Sequence, residues 1–183
     1  MSDQHELRLA GSGGQGLILA GIILAEAAAV YDHKNAAQTQ SYGPEARGGA
    51  CRSEVIISDG EIVYPKVTAA DLLLALSQEA VDKYAQDLKE DGVLVVDTVH
   101  VHDVPVPGAC ELPITRIAEE ATGRRIAANM VALGVIVGVT QVVSRRAIEA
   151  AVANRVPEGT QEMNLKALAA GFEAAAGLTT PAV

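Results

Sequence analysis

The sequence predicts an α/β fold, a three-layer α/β/α arrangement around a mixed, mostly parallel sheet, with a helical C-terminal part. Three observations carry this prediction. A short apolar strand runs through a glycine loop, Gly11-Ser12-Gly13-Gly14-Gln15-Gly16, into an apolar run of helix length. Two short Leu/Val-rich runs, Asp71–Leu76 and Val93–Asp97, have the length and composition of buried strands. Beyond Thr115 the patterning is helical. Strand, glycine turn and helix in that order make a Rossmann-like start.

The elements follow in order. His5–Ala10 is the first strand, and Leu17–Val30, apolar on most faces, is a helix to be buried against the sheet. Asn35–Gly49 reads as a strand end and a long ordered loop. Asp59-Gly60, between Ala50–Ser58 and Glu61–Tyr64, predicts a two-residue hairpin, because such turns need positive φ. Ser77 caps a helix expected to run to about Glu90 and to end at Asp91-Gly92. Val99–Gly108 is a proline-containing connection and Cys110–Leu112 a short strand. Gly134 and Gly138, four apart, predict close helix packing over Asn129–Thr140. Ser144 caps a further helix to Asn154, and Gln161–Gly177 is the last, with Leu165, Leu168, Ala169 and Phe172 on one side. A single domain over residues 1–177 is expected, with 178–183 as a tail.

Gly11-x-Gly13-x-x-Gly16 matches the pattern in which a tight turn, a close phosphate approach and a helix N-terminus face an anion. A dinucleotide site also wants an acid at the end of the second strand. Ala36-Ala37-Gln38-Thr39-Gln40 offers none before Glu45. A phosphate or polar ligand and a purely structural turn both remain open. The second constellation is Ser41-Tyr42-Gly43-Pro44-Glu45-Ala46-Arg47-Gly48-Gly49. Its dense special-backbone residues suit a functional loop, and Arg47 either holds a carboxylate or phosphate or pairs with Glu45.

These residues carry a resemblance. GSGGQG, then QSYGPEARGGACRSEVIISD, then Asn129-Met130-Val131-Ala132-Leu133-Gly134, in this order, resemble the gamma subunit of 2-oxoacid:ferredoxin (acceptor) oxidoreductases over nearly the whole chain. Gln40 before Ser41, and Arg52-Ser53-Glu54 after the loop, are most similar to the 2-oxoglutarate branch of a family that includes pyruvate and ketoisovalerate enzymes. The resemblance implies a multi-subunit enzyme converting a 2-oxoacid and coenzyme A to acyl-CoA, CO2 and reduced ferredoxin. It implies alpha and beta partner subunits, with delta as a further candidate, and ferredoxin as an indirect partner. Thiamine diphosphate, magnesium and [4Fe-4S] clusters would sit in those partners, with no cofactor in this chain and coenzyme A as co-substrate. On that reading Gly11, Ser12, Gly13, Gly14, Gln15, Gly16, Ser41, Tyr42 and Arg47 contribute to the acyl-acceptor pocket, and no residue here is catalytic or metal-binding. The alternatives are a stand-alone nucleotide-binding α/β protein and a purely structural scaffold subunit.

Composition agrees with this division of labour. The 183 residues carry 14 basic and 23 acidic side chains, a net charge of −9, which argues against nucleic acid and anionic membrane surfaces as partners. The apolar runs Leu17–Ala25 and Met130–Val139 are too short to span a bilayer, and no leader peptide is expected, so the location expected is cytoplasmic. With 3% aromatic residues and 32 alanines, the core must be built from small aliphatic side chains. Two cysteines, Cys51 and Cys110, cannot ligate an iron–sulfur cluster, and no thiamine-type GDG motif is present. His100 and His102 would share a strand face and are read as a solvated strand end rather than metal ligands. Cys51 is read as a small core residue rather than a nucleophile, and Arg124-Arg125 and Arg145-Arg146 as solvated helix ends or rim contacts.

Overall fold

The computed structural model describes residues 4–41 and 50–178, with the backbone alone described at Ala50. Its elements are β1 (Gln4–Ser12), α1 (Leu17–Glu26, continued by a π-helical turn over Ala27–Tyr31), β2 (Asn35–Ser41), β3 (Ala50–Ser58), β4 (Ala70–Ala75) and α2 (Gln78–Tyr84). After α2 come β5 (Leu88–Asp97), β6 (Cys110–Leu112), α3 (Ile114–Thr122), α4 (Ala128–Thr140), α5 (Arg145–Arg155) and α6 (Gln161–Ala176). The sheet order is β2-β3-β1-β4-β5-β6. The pairs β1–β4, β4–β5 and β5–β6 are parallel, whereas β3 runs antiparallel to both β1 and β2, so the sheet is mixed around one reversed strand.

Strand alternation divides the core. Leu7, Leu9, Val55, Ile57, Leu72, Leu74 and Val95 pack on one face with α1 and α3 to α6. Ala10, Leu73, Ala75, Leu94 and Val96 pack on the other with Ala80, Val81 and Tyr84 of α2. Helices therefore cover both faces, unequally. On the α2 face, Arg8 is buried between its neighbours: Nε donates to Glu54 at 2.8 Å, Nη1 to Asp87 at 2.6 Å and Nη2 to the Val67 carbonyl at 3.2 Å. Fully paired, this charge escapes the penalty of an isolated buried ion. On the other face, Glu26 at the end of α1 accepts from Asn154 at 2.7 Å and from Arg155, tying α1 to α5.

The expected close helix packing is present, with a partner that spacing alone does not single out. A Cβ at Gly134 would collide with the backbone of α6, lying 2.9 Å from Gly171 Cα, so α4 and α6 cross backbone to backbone. Gly138 faces Ala175 in the same seam.

Three expectations are corrected. No strand forms over 61–64, because both edges of β3 are already taken by β1 and β2; Ile62 instead packs with Ile56, Val67 and Ala70. The antiparallel partner of β3 is β2, in register from Asn35↔Ser58 to Ser41↔Arg52. The helix after Ser77 is shorter than expected: α2 ends at Tyr84, a 3-10 turn covers Ala85–Asp87, and Lys89, Glu90, Asp91 and Gly92 lie in β5. Gly92 fits there, since its β-carbon would sit 2.8 Å from Leu88 Cγ and 3.0 Å from the Ala70 carbonyl, beside a register shift between β4 and β5. His100 and His102 share no strand. The chain turns at Asp97, whose carbonyl accepts from His100 and Val101, and the His102 N–H is held by Gln78.

Candidate functional site at the switch between β1 and β4

α1 follows β1 and packs on one face of the sheet, whereas α2 follows β4 and packs on the other. The carboxyl ends of the adjacent strands β1 and β4 thus form a topological switch point, the place where open α/β sheets offer a crevice to ligands. The glycine loop occupies it. Gln15 closes the turn, accepting from the Ser12 N–H at 2.7 Å while its Nε2 donates to the Leu76 carbonyl at 3.0 Å. One side chain thereby fastens the end of β1 to the end of β4.

The four loop glycines do different work. A Cβ at Gly11 would run into Gln15, Leu17 and Leu76, so its absence admits the Gln15 bridge. Gly16 adopts φ +72°, starts α1, and is held through its carbonyl by Asn129 Nδ2 at 3.2 Å. Gly13 and Gly14 are exposed, and a β-carbon added at either would meet nothing within 4 Å, so the loop tip is open. Among the described residues, their backbone N–H groups have no partner, and they lie beside the N-terminus of α1. Open N–H donors at a helix start suit an anionic or strongly polar ligand.

Ser41 ends β2 at the same end of the sheet, opposite Arg52 of β3. The register pair Ser12↔Ala50 places the end of β1 beside the start of β3. The glycine loop and the exit of β2 therefore leave the sheet along one edge. Tyr42 and Arg47 lie outside the described residues.

Two contributors emerge only from the structure. Asn129, 6% exposed in the first turn of α4, holds Gly16; a polar amide at the start of an otherwise apolar helix is the signal the sequence offers. Asp97, fully buried at the end of β5, accepts from Val99 N–H at 3.1 Å and from Thr115 through its N–H at 3.2 Å and its hydroxyl, fixing the start of α3. Cys51 is buried opposite Gly11, and burial raises its thiol pKa, as it does that of Cys110. That is a poor setting for a nucleophile. Arg125 pairs with Glu119 at 2.9 Å and Arg145 with Glu149 at 2.8 Å, both as exposed ion pairs near helix ends. Among the described residues no cluster of three His, Cys, Asp or Glu side chains could hold a metal ion, and no helix is long and apolar enough to cross a membrane.

Residues 6–174 match the model of the pyruvate ferredoxin/flavodoxin oxidoreductase family. The chain belongs to this family. It is 51% identical over 176 residues to the 2-oxoglutarate synthase subunit KorC of Methanocaldococcus jannaschii, covering 94% of each chain. It is 54% identical, with a TM-score of 0.87, to a crystal structure of a keto/oxoacid ferredoxin oxidoreductase gamma subunit from Geobacter sulfurreducens, covering 95% of this chain and 97% of that one. The fold is also that of part of the 2-oxoglutarate:ferredoxin oxidoreductase of Magnetococcus marinus: TM-score 0.85 at 23% identity, over 97% of this chain and 32% of that one. For an oxidoreductase family member, the chain is poor in redox ligands, with two cysteines on strands β3 and β6 separated by three others.

Proposed function

We propose that this chain is the gamma-type subunit of a 2-oxoglutarate:ferredoxin oxidoreductase, a multi-subunit enzyme that converts a 2-oxoacid and coenzyme A to acyl-CoA, CO2 and reduced ferredoxin. The observation that carries this is identity above one half with 2-oxoglutarate synthase subunits along more than nine-tenths of both chains. Its place is beside alpha and beta subunits in the cytoplasm, with residues 1–177 acting as one gamma-type domain.

The residues present do not fit the redox groups such an enzyme needs. Two thiols four strands apart cannot ligate a [4Fe-4S] cluster. Thiamine diphosphate, magnesium and the clusters are assigned to partner subunits, where oxidation of the 2-oxoacid takes place. This chain contributes binding and orientation. The open Gly13 and Gly14 N–H groups at the start of α1 suit a phosphate of coenzyme A, with Gln15 and Asn129 fixing the loop that presents them. Ser41, Tyr42 and Arg47 complete this part of the acyl-acceptor pocket.

The test is native co-purification on a tag carried by this chain. Alpha and beta subunits with bound thiamine diphosphate are expected to accompany it, and the complex to turn over 2-oxoglutarate. Recovery of the chain without them, or turnover unchanged when the complex is assembled without it, overturns the proposal.

A further inference from the structure

We infer that Arg52, which shares the α2 side of the sheet with Ser41 and Ser12, binds an oxyanion of a co-substrate, either a carboxylate or a phosphate. The inference rests on the subunit reading above. It begins with register. Directly opposed residues of antiparallel strands share a face, so the rung Ser41↔Arg52↔Ala10 places Ser41 and Arg52 on one side. Ser12, two residues past Ala10, projects to that side as well. Ser41 thus stands directly opposite Arg52 and Ser12 one same-face rung further toward the end of the sheet from which the glycine loop leaves, and the open N–H groups of Gly13 and Gly14 follow Ser12 directly.

Charge pairing does not account for Arg52. The carboxylate beside it belongs to Glu54, 3.9 Å from its Nε, and Glu54 is already engaged by Arg8 at 2.8 Å. Among the described residues the Arg52 guanidinium has no hydrogen-bond partner, and its side chain is 34% exposed, so a ligand can reach it. Its fork is nonetheless held in place. The guanidinium lies over the Tyr84 ring at 5.6 Å, and Tyr84 is itself buried against Arg8 at 5.1 Å. Lys83 stands 5.5 Å from the same ring. Three cations, Arg8, Arg52 and Lys83, here meet two carboxylates, Glu54 and Asp87, both engaged by Arg8, so Arg52 is left as an oriented bidentate donor whose fork matches the two oxygens of a carboxylate or phosphate.

The test uses the complex reconstituted from its partner subunits with wild-type chain, R52K or R52Q, measuring the KM for 2-oxoglutarate and for coenzyme A separately. R52Q is expected to raise one of the two about tenfold or more, with kcat little changed and R52K recovering part of the loss. If the affected substrate is coenzyme A, wild-type preference over 3′-dephospho-coenzyme A should shrink in R52Q, assigning the phosphate. If it is 2-oxoglutarate, preference over 2-oxobutyrate should shrink, assigning the distal carboxylate. Both KM values within twofold of wild type in a fully assembled R52Q complex would overturn the inference and leave the subunit reading standing. A wild-type chain that forms no active complex would overturn both.

Discussion

Gln15 and Leu76 join the ends of two parallel strands: the amide of one donates to the carbonyl of the other at 3.0 Å, across the gap between β1 and β4. The same side chain accepts from Ser12, so its two ends work in opposite senses. Glutamine alone among the standard side chains of this length offers both an acceptor and a donor. Q15E is therefore expected to destabilise the chain by about 1–3 kcal/mol, because it sets an acceptor against the Leu76 carbonyl. Q15A should cost about as much through the loss of two bonds. Chemical denaturation of the three proteins checks both values.

Gly13 and Gly171 make opposite predictions from the same residue type. A Cβ at Gly13 meets nothing within 4 Å, so G13A should change stability by less than about 0.5 kcal/mol. Its effect belongs to function: turnover of the assembled enzyme should fall through a raised KM for coenzyme A. A Cβ at Gly171 would overlap the Val131 carbonyl and lie 2.9 Å from Gly134 Cα. G171A should therefore lower stability by about 2 kcal/mol or more, read by thermal melting.

Glu26 is buried with a 7% exposed side chain, against Asn154 and Arg155. E26A removes a carboxylate that satisfies two donors from α5. A loss of about 1–3 kcal/mol is expected, and E26Q should lose less by retaining an acceptor. Denaturant midpoints of the two variants check the order.

Cys51 and Cys110 have thiol pKa values raised by burial. A raised thiol pKa means less thiolate at any given pH, so alkylation of the native chain by iodoacetamide should be slow near neutral pH. It should accelerate only above the ordinary thiol range of about 8.5. In denaturant both cysteines should react at the rate of a free thiol, and mass spectrometry against time separates the two cases.

Much of this site is legible in the chain itself. The glycine spacing places a turn between a strand and a helix, and both form where the pattern puts them, because β1 and α1 are strongly apolar and locally consistent. Ser77 and Ser144 cap α2 and α5 as their positions predict, each accepting from the N–H three residues on. What local pattern does not decide is the choice between near and distant pairing. Asp59-Gly60 is good hairpin chemistry, yet both edges of β3 are taken by strands earlier in the chain. The stretch up to about Glu90 reads as the end of the helix capped by Ser77, closed at Asp91-Gly92, yet Lys89, Glu90 and Asp91 lie in β5 ahead of its buried part. Arg8 reads only as part of a strand, since its partners Glu54 and Asp87 lie 46 and 79 residues away. Asn129 shows in the sequence only as a polar amide opening an apolar helix, because its partner is a backbone carbonyl 113 residues distant.

That last contact has a mechanical consequence. Asn129 opens α4, and α4 is pinned to α6 through Gly134 and Gly171, so the position of Gly16 is set by a helix near the opposite end of the chain. The loop at the switch point is thus founded on α6 as well as on its own neighbours. A shortened chain lacking α6 would retain every residue of the loop and lose the footing that keeps it in place.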